Sequence, residues 1–186
     1  MNRNLPAVRS LLLLAFVLVP SAMVLSACED PFNLGDPVLR TDSLRLAAPT
    51  SAVNIPTAVD INNGNALRRP EQPSEASAWD FQLRQNGATF SLVPFSSLGR
   101  LRGAGIRSAD AVFETAEEAP RGSGEYTRDP FAIAPGQTYF VQTREAQNSF
   151  CVKYGILKVL SVSADSGTAR LVVRSNQNCD DERLQP

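Results

Sequence analysis

Histidine is absent from all 186 residues of the chain. That single absence excludes the Ser-His-Asp and Cys-His nucleophile arrangements, the H-E-x-x-H zinc helix and bis-histidine haem ligation. Cysteine is scarce, with three in the chain. Cys28 ends an N-terminal apolar run, which leaves Cys151 and Cys179, too few for a thiolate zinc cage. Lysine is confined to Lys153 and Lys158, an arginine bias from which no function follows. Helix signals are poor as well: after the N-terminal run no segment shows an amphipathic period over about 12 residues, the length a helix needs to stand. Ala109 to Ala119 is the one helix candidate, and its β-branched residues and flanking loops weaken it. No internal repeat is evident.

What is present begins with the N-terminus. Arg3 and Arg9 precede an unbroken apolar run from Leu11 to Val19, and no acid appears before Glu29. Pro20 and three serines (Ser10, Ser21, Ser26) interrupt any longer version, and a spanning helix needs roughly 20 apolar residues. Positive region, short apolar core and small residues are the order of an export signal. Leu25-Ser26-Ala27-Cys28 then resembles the lipobox of bacterial lipoprotein precursors, an aliphatic residue and two small ones before the cysteine that receives lipid. The resemblance implies removal of residues 1–27, acylation of Cys28 and a lipid bilayer as the first partner. A plain secretory signal cut near Ala27, or an uncleaved anchor, are the alternatives.

The mature chain is then Cys28 to Pro186, enough for one domain with a real core. Of 18 basic and 19 acidic residues, Arg3 and Arg9 leave with the signal, so the balance becomes 16 against 19, or −3. A weakly acidic chain lacks the concentrated basic face that nucleic acid requires. Residues 28–37 (CEDPFNLGDP) read as a polar tether, and 38–186 as a single β-rich domain.

Within that domain, Val38 to Ala47 is a first strand with Leu44 and Leu46 on one face. Ala52 to Ile61 is apolar and β-branched, but Pro56 restricts it to an edge or to short pieces. Asn62-Asn63-Gly64 is a turn, and Leu67 to Ser77, with Pro70 and Pro73, reads as a loop. Trp79, Phe81 and Leu83 alternate with Asp80, Gln82 and Arg84, the pattern of a half-buried strand. That pattern casts Trp79 as a core anchor, with a ligand-stacking platform as the alternative. Asn86-Gly87 supplies a hairpin turn, and Phe90 and Leu92 return. Ala111 to Phe113 suggests a short strand and Thr138 to Thr143 a strong one. Phe150 to Val162 is apolar on both faces, as a central strand should be. Asp165-Ser166-Gly167 turns the chain, Ala169 to Arg174 returns along it, and Asn176 to Pro186 reads as a polar tail. Short strands punctuated by Gly, Pro and Asn predict an all-β fold, an antiparallel sandwich or partly open barrel.

Charged motifs offer two weaker candidates. Gly99 to Gly105, with Arg100, Arg102 and Arg107, could cradle an anion, though without the spacing of a P-loop or dinucleotide fingerprint. Glu114, Glu117 and Glu118 could pair with Asp80 or Asp129 as the two carboxyls that glycoside hydrolysis needs.

Cys151 and Cys179 are expected to form a disulfide, as paired cysteines do in an exported protein. If the turn near Asp165–Gly167 holds two, three or four residues, Cys151 lies opposite position 182, 181 or 180. Cys179 is then one to three residues out of register, close enough for a small bend to bring the sulfurs together. Two free thiols are the alternative.

Trp79-Asp80-Phe81, followed by Tyr154-Gly155-Ile156-Leu157-Lys158-Val159, resembles the HmuY-like lipoproteins, β-rich haem-binding proteins of bacterial surfaces. The resemblance implies a β fold at the cell surface. Ile156 stands where that family more often has lysine. Histidine haem ligands cannot be carried over, and Met1 and Met23 both lie in the signal, so Tyr126, Tyr139 and Tyr154 are the familiar ligands left. No cofactor or metal is expected on these grounds. The functional expectation is a membrane-anchored lipoprotein of the cell envelope, at the outer membrane, whose non-enzymatic β-domain binds a ligand or protein. A structural role in an envelope complex is the alternative, and a carboxylate-dependent enzyme acting on a glycan the less favoured one.

Overall fold

Antiparallel strands account for all the regular structure among the described residues except two single turns of 3-10 helix. The structure is a computed structural model and describes residues 35–96, 102–146 and 150–186. Residues 1–34, and with them Cys28 and most of the expected tether, lie outside it, as does Arg100. Two five-stranded sheets face each other as a sandwich and do not close into a barrel. One holds β1 (Leu39–Ala47), β10 (Thr168–Asn176), β9 (Tyr154–Ser163), β8 (Thr138–Gln142) and β6 (Gly105–Ser108), in that order. The other holds β3 (Ala66–Arg68), β2 (Ala58–Asp60), β4 (Phe81–Asn86), β5 (Thr89–Pro94) and β7 (Phe131–Ile133).

The main core lies between the sheets. Leu44, Leu46, Leu157, Val159, Leu171 and Val173 from the first meet Val59, Phe81, Leu83, Phe90 and Leu92 from the second. A second apolar cluster covers the outer face of the first sheet, where Phe140, Tyr154 and Ile156 pack under Phe113, Tyr126 and Leu184 from the loops and C-terminus. Two buried faces explain why β9 reads apolar on both sides. The C-terminal segment is therefore no free polar tail: Leu184 is fully buried and its amide bonds to the Glu117 carbonyl at 2.6 Å.

Other expectations need correction. Ala111 to Phe113 is turn and irregular chain, because Phe113 is spent on the second cluster. Ala109 to Ala119 forms no helix. The Leu67 loop begins as β3, which pairs with β2 across the Asn62–Asn65 turn, where Gly64 and Asn65 take the left-handed conformation (φ 69° and 58°). Gly105–Ser108 and Phe131–Ile133 are strands that the sequence pattern did not reveal. The long strand starts at Tyr154, and Phe150 before it is exposed.

Cys151 and Cys179 form a disulfide, with Cα atoms 5.2 Å apart. Ser163 pairs with Thr168, so the turn holds four residues and aligns Cys151 with position 180 by simple counting. A bulge then intervenes: Ser161 pairs with Arg170 but Val159 with Leu171, leaving Leu160 as the extra residue. That one-residue shift moves the partner of Cys151 from 180 to 179. It also turns Val162, rather than Ser161, toward the main core.

Candidate functional site

The main core turns polar at the disulfide end. Along β9 the inward series Val159, Leu157 continues as Gly155 and Lys153, and along β10 Leu171, Val173 continues as Ser175 and Gln177. A buried charge cluster closes this end. Asp60 ends β2 and Asp80 precedes β4, with 1% and 0% of their surface exposed, and Arg144 follows β8 in the opposite sheet. Arg144 Nη1 donates to Asp60 Oδ1 at 3.0 Å and to Asp80 Oδ1 at 2.9 Å. Asp80 also accepts the Arg144 amide (2.9 Å) and, on its other oxygen, the Asn62 amide (2.8 Å). Asp60 accepts the Asn63 amide (3.2 Å) and Arg68 Nη2 (3.3 Å). Lys153 Nζ donates to the Asn62 carbonyl at 2.6 Å and to Gln177 Oε1 at 3.1 Å.

Burial works on three of the groups here. It pushes the Asp80 carboxyl above its ordinary 3.8, outweighing the pull of Arg144 and of the amides. It draws the Lys153 ammonium below its ordinary 10.5, against the attraction of Asp60 and Asp80. In Arg144 burial opposes the charge, but the two carboxylates win and hold the guanidinium's pKa above its ordinary value. The Phe95 ring lies 5.9 Å from the Arg144 guanidinium, and Trp79 meets Phe95 edge-on at 4.9 Å. Above the cluster opens a cleft of about 440 Å³ lined by Asp60, Asn62, Asn63, Arg68, Arg144 and Ala146, among others.

The sequence-derived candidates are distributed differently. Trp79 is half-buried at the margin of the core, off the strand, with its indole N–H donating to the Ala76 carbonyl at 3.0 Å. Asp80 does face another carboxylate, but its neighbour is Asp60. Glu114 instead pairs with Lys158 at 2.8 Å on the surface, which holds its carboxyl below the ordinary range. Asp129, Glu117 and Glu118 are exposed. Arg102 pairs with Glu145 and Arg107 with Glu125, so these two form no common cradle, and Arg100 lies outside the described residues. The three tyrosine hydroxyls are engaged: Tyr126 donates to the Pro120 carbonyl, Tyr139 accepts the Ala134 amide and Tyr154 accepts from Gln142.

Asp60 and Arg144 escaped notice in the sequence because each looks ordinary there. Asp60 closes a run of apolar residues, a place where burial is expected and charge is not, and that was the available signal. Among the described residues no cluster of metal-ligating side chains occurs, and no helix is long and apolar enough to cross a membrane. No family model, curated protein or solved structure matches the chain.

Proposed function

We propose that the protein is a lipid-anchored component of the cell envelope, at the outer membrane, whose β-sandwich binds a ligand or protein without chemical turnover. The anchor rests on the Arg3/Arg9, Leu11–Val19 and Leu25–Cys28 pattern, and the disulfide suits an exported protein. The observation that carries the non-enzymatic half is the state of the two converging carboxylates. Asp60 and Asp80 are all but fully buried, and every oxygen accepts a hydrogen bond from Arg144, Arg68 or a backbone amide. A general acid or base must reach the substrate proton. These two face Arg144, which ties one sheet to the other, and the cleft above them has a fixed, charge-compensated floor. The interior between the sheets is filled by side chains, so a polar group would be held at a surface cleft, of which this is one.

Mass spectrometry of the N-terminal peptide from the membrane fraction tests the anchor. Acylated Cys28 is expected, and an unmodified N-terminus elsewhere would overturn it. Incubating the protein with purified cell-wall glycan tests the second half. No reducing ends should appear, whereas their steady release, lost in Asp80→Asn and Asp60→Asn, would establish a hydrolase.

A further inference from the structure

We infer that the disulfide end of the sandwich is held against the bilayer and that Phe150 enters the interface between lipid headgroups and chains. The inference rests on the lipid-anchor reading of Cys28 and adds to it an orientation and a second contact. The start of the domain is fastened at this end: Asn178 Nδ2 donates to the Asp36 carbonyl at 3.0 Å, and the Gln177 amide to the Val38 carbonyl at 2.8 Å. Cys179 follows directly and is bonded to Cys151, the neighbour of Phe150. From Cys28 to Asp36 are eight peptide steps, which reach at most about 29 Å when fully extended. The point of attachment therefore lies within that distance of the acyl chains.

Phe150 is the most exposed large apolar side chain among the described residues, at 72%, and Val38 at the same end is 56% exposed. The φ of Phe150 is +50°, a conformation that side chains other than glycine and asparagine avoid. An aromatic ring turned into water on a strained backbone, beside a disulfide that fixes its base, has an apolar interface as its natural complement. Aromatic side chains concentrate at the headgroup level of bilayers, and one lipid anchor is strengthened by a second contact.

The charges at this end indicate which bilayer. Arg102 is paired with Glu145, Arg144 with Asp60 and Asp80, and Lys153 is bonded to Asn62 and Gln177. Asp36 and Asp180 are exposed acids. Among the described residues this end thus offers anionic headgroups no basic patch, and the contact is apolar, suited to zwitterionic lipid.

The test uses the full acylated protein in phosphatidylcholine vesicles, with and without bromine on the acyl chains. The variant Phe150→Trp adds a second fluorophore to Trp79. The emission added by that substitution should lose most of its intensity in brominated vesicles, while the emission of the unsubstituted protein changes little. Thiol counting checks that the variant keeps its disulfide. Protein that floats with the vesicles but whose added emission ignores bromine overturns the orientation and leaves the anchor standing. Protein that does not float overturns both. A concentration-dependent blue shift without lipid would assign Phe150 to a second copy of the chain and overturn the bilayer contact.

Discussion

Arg144 answers two buried carboxylates with a single nitrogen, and the balance at that nitrogen decides how the polar end behaves. Removing one member of a buried ion cluster leaves uncompensated charge, at a cost of about 3–5 kcal/mol. Arg144→Met should therefore lower stability at neutral pH by that order. Asp80 is already above its ordinary 3.8 because burial outweighs Arg144, and loss of the guanidinium raises it further. A carboxyl raised in the folded state binds protons more readily than in the unfolded chain, so its contribution to stability falls as pH rises through the folded value. The deficit of Arg144→Met should be largest above that value and shrink as pH falls toward 3.8. Urea titrations of both proteins from neutral to acid pH measure it, and a pH-independent deficit would contradict the assignment. Trp79 is a margin residue, edge-on to Phe95. Trp79→Ala should cost about 2 kcal/mol, short of the roughly 3–5 of a fully buried aromatic. A loss as large as the latter would return the indole to the core.

β9 shows how much an element depends on its neighbours. Gly155 lies where a Cβ would come within 2.9 Å of the Arg174 carbonyl oxygen and 3.3 Å of Ser175 Cβ. The carbonyl belongs to the paired strand and cannot move aside without breaking the ladder. Gly155→Ala should cost about 1–3 kcal/mol as an overpacked site, read from the shift of the denaturation midpoint at constant slope. A neutral result would mean that β9 and β10 separate more easily than their pairing suggests. The bulge at Leu160 acts on the same ladder, bringing position 151 into register with 179 and Val162 into the core.

At the scale of the molecule the two sheets are joined by the apolar core and by the Arg144 cluster at one end, while loops and the C-terminus wrap over the second apolar face, outside the first sheet. The disulfide holds the last of these in place. The Asp181 carboxyl lies beside it, buried yet pulled down to about 2 by the Arg183 bonds. Replacing Cys151 and Cys179 together with serine removes a link across 28 residues, which should cost about 3–4 kcal/mol by the chain-entropy model. A thermal unfolding midpoint several degrees lower is expected. An unchanged midpoint would mean that the C-terminus docks without the bond. The native protein, denatured without reductant, should show no titratable thiol.

The sequence by itself determined the composition of the cores and the all-β class, because Phe81, Leu83, Phe90, Leu92, Leu44 and Leu46 alternate with a period that water enforces on a half-buried sheet. It also announced the cysteine pairing to within a few residues, since a hairpin's register follows from its turn. Tertiary structure decided what depended on distant partners. Asp80 looks solvent-facing by alternation, and it is buried because Arg144, 64 positions away, supplies the counter-charge. The polar C-terminus is folded in because Leu184 finds the second apolar face, which no local period encodes. The disulfide register was settled by a bulge, a one-residue irregularity that packing selects by turning Val162 inward. Short edge strands such as Gly105–Ser108 and Phe131–Ile133 carry too few residues for a period to show, and they become strands only when a neighbour's backbone hydrogen bonds accept them.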